Sequence, residues 1–255
     1  MDRPRLSVFV ITWNEEKNIE RCLRSVRWAD EIVVVDSHST DRTIEISKKY
    51  TDKIFSRPFT HYADQKNFGL SCTRGDWILS LDADEEVAEA LKEEILSVIQ
   101  EENPCEGYHI PRRSIIFNRL FRYSGTQDDR PIRLFKKGKA RYEQPIHEVV
   151  KIEGTEGILA NPLRHDTCNS VQKYLDRFNR YTKMEAEFLG EKRHRFSWID
   201  VTAKPFLQFL RLFLWRQGFR DGWEGFLFCF LSAAYVLVKY AKYEEIKAAN
   251  RVKVA

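Results

Sequence analysis

The sequence predicts an α/β fold: a mostly parallel sheet flanked by helices, followed by a C-terminal amphipathic helical extension. Two observations predict the sheet. Leu6 to Thr12, Glu31 to Asp36 and Trp77 to Leu81 are short apolar runs bounded by turn and charge signals, as buried strands are. Helical stretches separate them, and strand–helix alternation of this length builds βαβ units with parallel strands. A third observation predicts the extension, because after Cys168 the chain turns helical. The expected division is a domain over residues 1–168, in halves 1–103 and 104–168, and an extension over 169–255.

Each element follows from local pattern. After the first strand, Asn14 is a plausible N-cap for an amphipathic helix over Ile19, Leu23 and Val26. The second strand ends at Asp36, and Ser37 to Thr43 is a loop rich in capping residues before a helix from Thr43 to Tyr50. Lys53-Ile54-Phe55 is a short third strand, and Tyr62 to Ser71 is a helix carrying Gln65, Lys66 and Asn67. Trp77 to Leu81 is the central strand. Val87 to Gln100 is another amphipathic helix, closed by Asn103-Pro104. Gly107 to Pro111, Pro131 to Phe135 and Gly157 to Leu159 are strand-like pieces among charged loops, suited to complete the sheet and build a second binding site. Val171 to Leu189 is an amphipathic, charged helix.

The central strand ends in Asp82-Ala83-Asp84. Residues two apart on extended backbone point the same way, so two carboxylates converge at the strand's C-terminal end, where open α/β sheets bind ligands. Such a pair suits Mg²⁺ or Mn²⁺ held against phosphates, since hard cations prefer oxygen ligands. The alternative for an isolated Asp-x-Asp is a solvated acidic turn opening the next helix.

Composition narrows the partners. The 255 residues are 43% hydrophobic with 17 Phe, ample for a core, and 31% charged. A net charge of +4 without a Lys/Arg block does not announce nucleic-acid binding. The five cysteines are scattered without C-x-x-C spacing, so neither a zinc site nor a disulfide framework is indicated, and a reducing cytoplasm fits. Met1-Asp2-Arg3-Pro4 leads straight into a strand, without the apolar region of a signal peptide.

Phe206 to Arg216 mixes aromatics with arginines, Gly222-Trp223-Glu224-Gly225 breaks the pattern, and Phe226 to Val238 is nearly all apolar. That run falls short of the about 20 residues that span a bilayer. Its aromatic and basic flanks suit a helix lying in the headgroup interface. A helical hairpin packed on the domain or across a homodimer is the other reading.

Taken together, the strand ending at Asp36, the strand ending at Asp82-Ala83-Asp84, and Asn14-Glu15-Glu16 after the first strand resemble the nucleotide-sugar half of a family 2, GT-A-fold glycosyltransferase. Val33 to Asp41 matches that family's hydrophobics-Asp-x-x-Ser-Thr-Asp segment, and Gln65-Lys66-Asn67-Phe68-Gly69 the segment before its metal strand. Arg133-Leu134-Phe135, Ile146-His147-Glu148 and Leu163-Arg164-His165 are similar to a bacterial subgroup that includes lipopolysaccharide inner-core β-glucosyltransferases. The resemblance implies an inverting transfer of a hexose, glucose favoured, from a UDP-sugar to a lipopolysaccharide-core or other lipid-linked acceptor. The place would be the cytoplasmic face of the inner membrane, peripherally bound, or the cytoplasm.

The resemblance also implies roles. Asp36 accepts from the uracil N3–H; Thr12, Asn14, Glu15 and Ser39 line the nucleotide pocket; Lys66 reaches the diphosphate. Asp84 is the direct metal ligand, with Asp82 on the ribose or a metal-bound water and His165 as a late ligand. The general base is Glu148, with His147 as the alternative. Two other classes stay in view: a metal-dependent nucleotidyltransferase, which lacks its Gly-rich phosphate loop here, and a non-catalytic membrane-bound scaffold.

Overall fold

The computed structural model describes residues 3–144, 149–192 and 194–254. The chain forms two compact units, one of residues up to Arg113 with Asp129–Asp166, the other of Ser114–Asp128 with the chain from Thr167 on. The helical unit thus takes in residues 114–128, which sequence pattern alone placed in the second half, 104–168, of the first domain.

The first unit opens with β1 (Leu6–Thr12), α1 (Ile19–Ser25), β2 (Glu31–Asp36), α2 (Thr43–Ser47), β3 (Ile54–Ser56), α3 (Tyr62–Cys72), β4 (Trp77–Asp82), the short β5 (Glu85–Glu86), α4 (Glu89–Val98) and β6 (Gly107–His109). β7 (Arg112–Ile116) ends the first stretch, β8 (Arg119–Leu120) belongs to the second unit, and the first unit resumes with β9 (Ile132–Lys136), β10 (Ala140–Glu143), β11 (Val149–Ile152), β12 (Glu156–Ile158) and β13 (Leu163–Cys168). Seven strands make the main sheet in the order β12-β6-β9-β4-β1-β2-β3. β4, β1, β2 and β3 run parallel, as strand–helix alternation predicts. β9 enters antiparallel between β4 and β6, pairing Ile78 with Phe135 and Leu79 with Leu134. The second half of the sequence therefore does complete the sheet.

Side-chain alternation explains why these strands read as unbroken apolar runs: both faces are covered. Leu6, Val8 and Val10 join Leu79, Leu81 and the inner residues of α1 and α4 in one core. Phe9, Val33, Val35 and Ile78 face the other way, into a second core with Ala63 of α3, Phe135 and Tyr142. Gly69 lets α3 approach closely, since a Cβ there would lie 2.6 Å from the Phe9 ring. This close packing sets the height at which α3 offers Gln65 and Lys66.

The second unit is built from α5 (Val171–Glu191), α6 (Trp198–Val201), α7 (Ala203–Leu210) and α8 (Gly222–Val254), with a π-helical turn at Arg211–Trp215 and a 3₁₀ turn at Gly218–Asp221. Ser170 caps α5 by accepting from Lys173 N–H at 3.1 Å, and Ser197 with Asp200 forms a capping box on α6. The buried Asp221 carboxylate accepts from the Arg122 and Tyr123 backbone N–H groups and the Ser124 hydroxyl, at 3.0, 3.1 and 2.8 Å. Gly225 permits a contact no side chain would allow, because its Cβ would fall 2.2 Å from the Gly218 carbonyl oxygen.

The apolar run Phe226–Val238 proves to be part of the 33-residue α8, about 50 Å long. By length and composition alone Gly218–Ala249 is long and apolar enough to cross a membrane, although the run Phe226–Val238 by itself is not. Cys229, Ala233, Tyr240 and Tyr243 form its buried stripe, whereas Trp223, Phe230 and Leu237 lie seven apart on an exposed one.

Candidate functional site

The C-terminal ends of β1, β2 and β4 lie side by side, Thr12 opposite Asp36 and Ile11 opposite Asp82. At the first of these ends Asn14 takes a left-handed conformation, φ 52°, which Asn tolerates better than most residues. Its side chain accepts from Thr40 N–H at 2.8 Å while its own N–H donates to Ser39 Oγ at 2.8 Å. Glu15 N–H donates to Thr43 Oγ1 and Glu16 N–H to Asp41 at 2.9 and 3.0 Å. Asn14, Glu15 and Ser39 thus interlock two strand-end loops. The Glu15 carboxylate also accepts from Asn18 at 2.6 Å, at the start of α1.

Inside that frame Asp36 is fully buried. Oδ2 accepts from Ser39 N–H at 2.9 Å and more weakly from Ser56 Oγ at 3.4 Å, but Oδ1 has no partner. Thr12 Oγ1 and Gln65 Oε1 are likewise buried without partners. Buried polar atoms are normally satisfied, so a cluster of unspent oxygens at strand ends is what a donor-bearing ligand would complete. Trp13, half exposed beside Thr12, offers a large flat apolar surface on the same rim.

The Asp-x-Asp turn separates its two carboxylates by environment. Asp84 is buried and lies 3.4 Å from His165 Nε2, because β13 pairs antiparallel with β5 and sets His165 opposite Glu85. Burial by itself would lower the His165 imidazole, but the Asp84 carboxylate outweighs it and holds the ring above its ordinary value. Asp82 instead meets cations, with Lys66 Nζ 3.1 Å from Oδ1 and Arg133 Nη2 2.5 Å from Oδ2. Burial by itself would raise its carboxyl; Arg133, Lys66 and Arg112 together hold it well below the usual carboxylate range. Lys66 is not a solvated helix lysine: its side chain is buried, with the ammonium 5.5 Å from the centre of the Tyr142 ring.

Asp84 and His165 form an oxygen–nitrogen donor pair suited to a divalent cation, which would displace the imidazole proton. Among the described residues no group of three or more His, Cys, Asp or Glu converges on a cation site. A metal held here would take its remaining ligands from phosphate and water, the usual habit of Mg²⁺ at phosphate-binding sites. His147 and Glu148, the expected bases, lie outside the described residues.

Sequence reasoning singled out neither Glu85 nor Arg133 as a site residue, yet both are buried in the turn's ion network. The available signal was a single cation inside the apolar run Pro131 to Phe135, which burial obliges to find a carboxylate.

A mostly parallel sheet with acidic strand ends arranged in this way is a GT-A glycosyltransferase fold. The chain belongs to glycosyl transferase family 2, whose family model matches residues 7–155. It is 30% identical over 251 residues to the lipopolysaccharide core biosynthesis glycosyltransferase LpsC of Rhizobium meliloti (strain 1021), covering 92% of this chain and 93% of that protein. It is 29% identical to the glycosyltransferase RT0209 of Rickettsia typhi, over 97% of this chain and 89% of that one. Among solved structures it resembles glucosyl-3-phosphoglycerate synthase from Mycobacterium tuberculosis, in complex with Mn²⁺, UDP and glucosyl-3-phosphoglycerate. The TM-score is 0.50 at 15% identity, over 76% of this chain and 82% of that one, a likeness of fold. Family membership decides for glycosyl transfer over nucleotidyl transfer.

Proposed function

We propose that the protein moves a hexose, glucose favoured, from a UDP-sugar to a hydroxyl of a lipopolysaccharide-core or other lipid-linked glycan, with inversion at carbon 1. The unspent buried oxygens of Asp36 and Thr12 at the parallel strand ends, and of Gln65 on α3 beside Ser37, carry this reading. Asp36 Oδ1 is an acceptor suited to the N3–H of uracil, and the other oxygens are suited to further donors of the nucleoside. Asp84 and His165 would hold Mg²⁺ or Mn²⁺, which when bound neutralises charge on the departing diphosphate. Lys66 brings a buried cation to the same end of the sheet. Glu148, or His147 in its place, takes the proton of the acceptor hydroxyl. The full-length relation to LpsC supports the lipopolysaccharide-core acceptor.

The test is UDP release from a panel of UDP-sugars by the purified protein, with Mg²⁺, with Mn²⁺ and with a chelator. One donor should be hydrolysed slowly in a metal-dependent way. Asp36→Asn should weaken UDP binding about tenfold or more, as loss of a hydrogen bond to a charged group does. Equal, metal-independent indifference to every donor would sink the reading.

The helical unit supports attachment to a membrane surface, and the family resemblance would put that surface on the cytoplasmic side. Phe209, Phe213, Phe219, Phe226, Phe230 and Trp223 are linked ring to ring at 5.2–6.4 Å, and none is buried. Trp215 is 82% exposed and Trp223 67%, with Arg211, Arg216 and Arg220 interleaved. Aromatic rims with arginines favour anionic headgroups. In vesicle flotation the protein should bind phosphatidylglycerol vesicles, and Trp223→Glu with Phe230→Glu should weaken binding at least about tenfold. Unchanged flotation, with dimers of the wild type breaking into monomers of the variant, would assign the stripe to a homodimer instead.

A further inference from the structure

We propose that Arg133 is a positioning residue of the donor site, holding the Asp82 carboxylate in its working place without touching substrate. The inference rests on the donor-site reading above and adds to it a residue and a job that neither the family match nor the strand-end carboxylates assign.

Arg133 sits in β9, where Ile132, Leu134 and Phe135 are buried beside it. Leu134 faces Leu79 in the antiparallel pairing, so the residue before it, Arg133, lies one step further toward the C-terminal end of β4. Placing a guanidinium in such a strand costs desolvation that only carboxylate partners offset, and apolar residues of similar volume commonly stabilise a core as well or better. Stability alone is therefore a weak reason for this arginine.

The contacts show what the arginine does. Nη2 donates to Asp82 Oδ2 at 2.5 Å and to Glu85 Oε1 at 2.6 Å. The other Glu85 oxygen accepts from the Asp82 backbone N–H at 3.0 Å. With Lys66 on Oδ1 at 3.1 Å, Asp82 is gripped at its backbone and at both carboxylate oxygens. Glu85 is in turn held by Arg112 at 3.3 Å, and Arg112 by Asp129 at 2.8 and 2.9 Å. Lys66, Arg133 and Arg112 balance Asp82, Glu85 and Asp129 charge for charge. The turn is thus set before any ligand arrives, which is how a site avoids reorganising during reaction. Lysine would offer one flexible point charge in place of the flat guanidinium.

The experiment compares Arg133→Lys and the charge-balanced double variant Arg133→Met, Glu85→Gln with wild type, all as full chains. Calorimetry with UDP gives the binding constant, and UDP release from the UDP-sugar that wild type hydrolyses fastest gives kcat. Misplacing a group by about 1 Å costs about 100-fold, so the double variant should lose about 100-fold in kcat and Arg133→Lys about tenfold. Asp82 is one of several expected UDP contacts, so UDP binding should weaken far less than kcat, by at most about tenfold in the double variant and about threefold in Arg133→Lys. Loss of folded protein would not produce that split. A kcat within about threefold of wild type in both variants would make Arg133 an ordinary core ion pair. UDP binding that weakens in step with kcat would make it a donor-contacting residue, and a double variant without native circular dichroism would give it a folding role. Each of these overturns the proposal. A wild type that binds no UDP would overturn the donor reading first, and this inference with it.

Discussion

Asp84→Asn is expected to reduce turnover of the sugar donor about 1000-fold, the equivalent of about 4 kcal/mol at the transition state. Asp84 is the buried carboxylate of the turn, and His165 is the imidazole beside it, 3.4 Å away. Asparagine keeps the volume and one oxygen but removes the charge that would draw a cation to this point. Asp82 is a poor replacement, because Lys66 and Arg133 already balance its charge and leave little to draw a further cation. The measurement is UDP release at saturating Mn²⁺, with Mn²⁺ binding followed by electron paramagnetic resonance. A variant with wild-type turnover and undiminished Mn²⁺ binding would remove Asp84 from the chemistry. A wild type already inactive toward every donor, yet membrane-bound, would favour the scaffold reading.

The largest stability effect is expected from Phe135→Ala. Phe135 is fully buried, pairs with Ile78 across the β4–β9 ladder, and meets Tyr142 edge to face at 6.4 Å. Deleting a buried ring from such a core costs about 3–5 kcal/mol, through lost transfer free energy and the cavity left behind. In a chain of this size that lowers the thermal midpoint by roughly 10 °C. Activity should fall as well, since Tyr142 is the ring beside Lys66. Scanning calorimetry of wild type and variant checks it: a midpoint shift below about 2 °C would mean the β9 side of the sheet tolerates the cavity, contrary to its close packing.

The two variants probe parts of the protein that differ in how far the sequence reveals them. β1 and β2 fall where the sequence places them, because a strand covered on both faces is apolar at most of its positions. The strand-end acids Asp36, Asp82 and Asp84 stood out for the same reason: a charge that terminates an apolar run is conspicuous. β9 was legible as a strand but not as an antiparallel member next to β4, because pairing partners are chosen by long-range packing. The short β5 and the start of β13 carry too few apolar residues to show a period at all, so the meeting of His165 with Asp84 could be suggested only by family resemblance.

By itself, then, the sequence determined the class of fold, the family and the acidic strand ends, since these depend on local periodicity and on short motifs. Only the tertiary structure decided that Asp82 faces two buried cations while Asp84 faces a histidine, although a single alanine separates them. It also decided that residues 114–128 belong with the helical unit, and that α8 turns an apolar stripe outward. The physical reason is common to all three. Each depends on which charges and surfaces distant segments bring together, and the free energy of a buried charge or an apolar stripe is set by those neighbours rather than by its place along the chain.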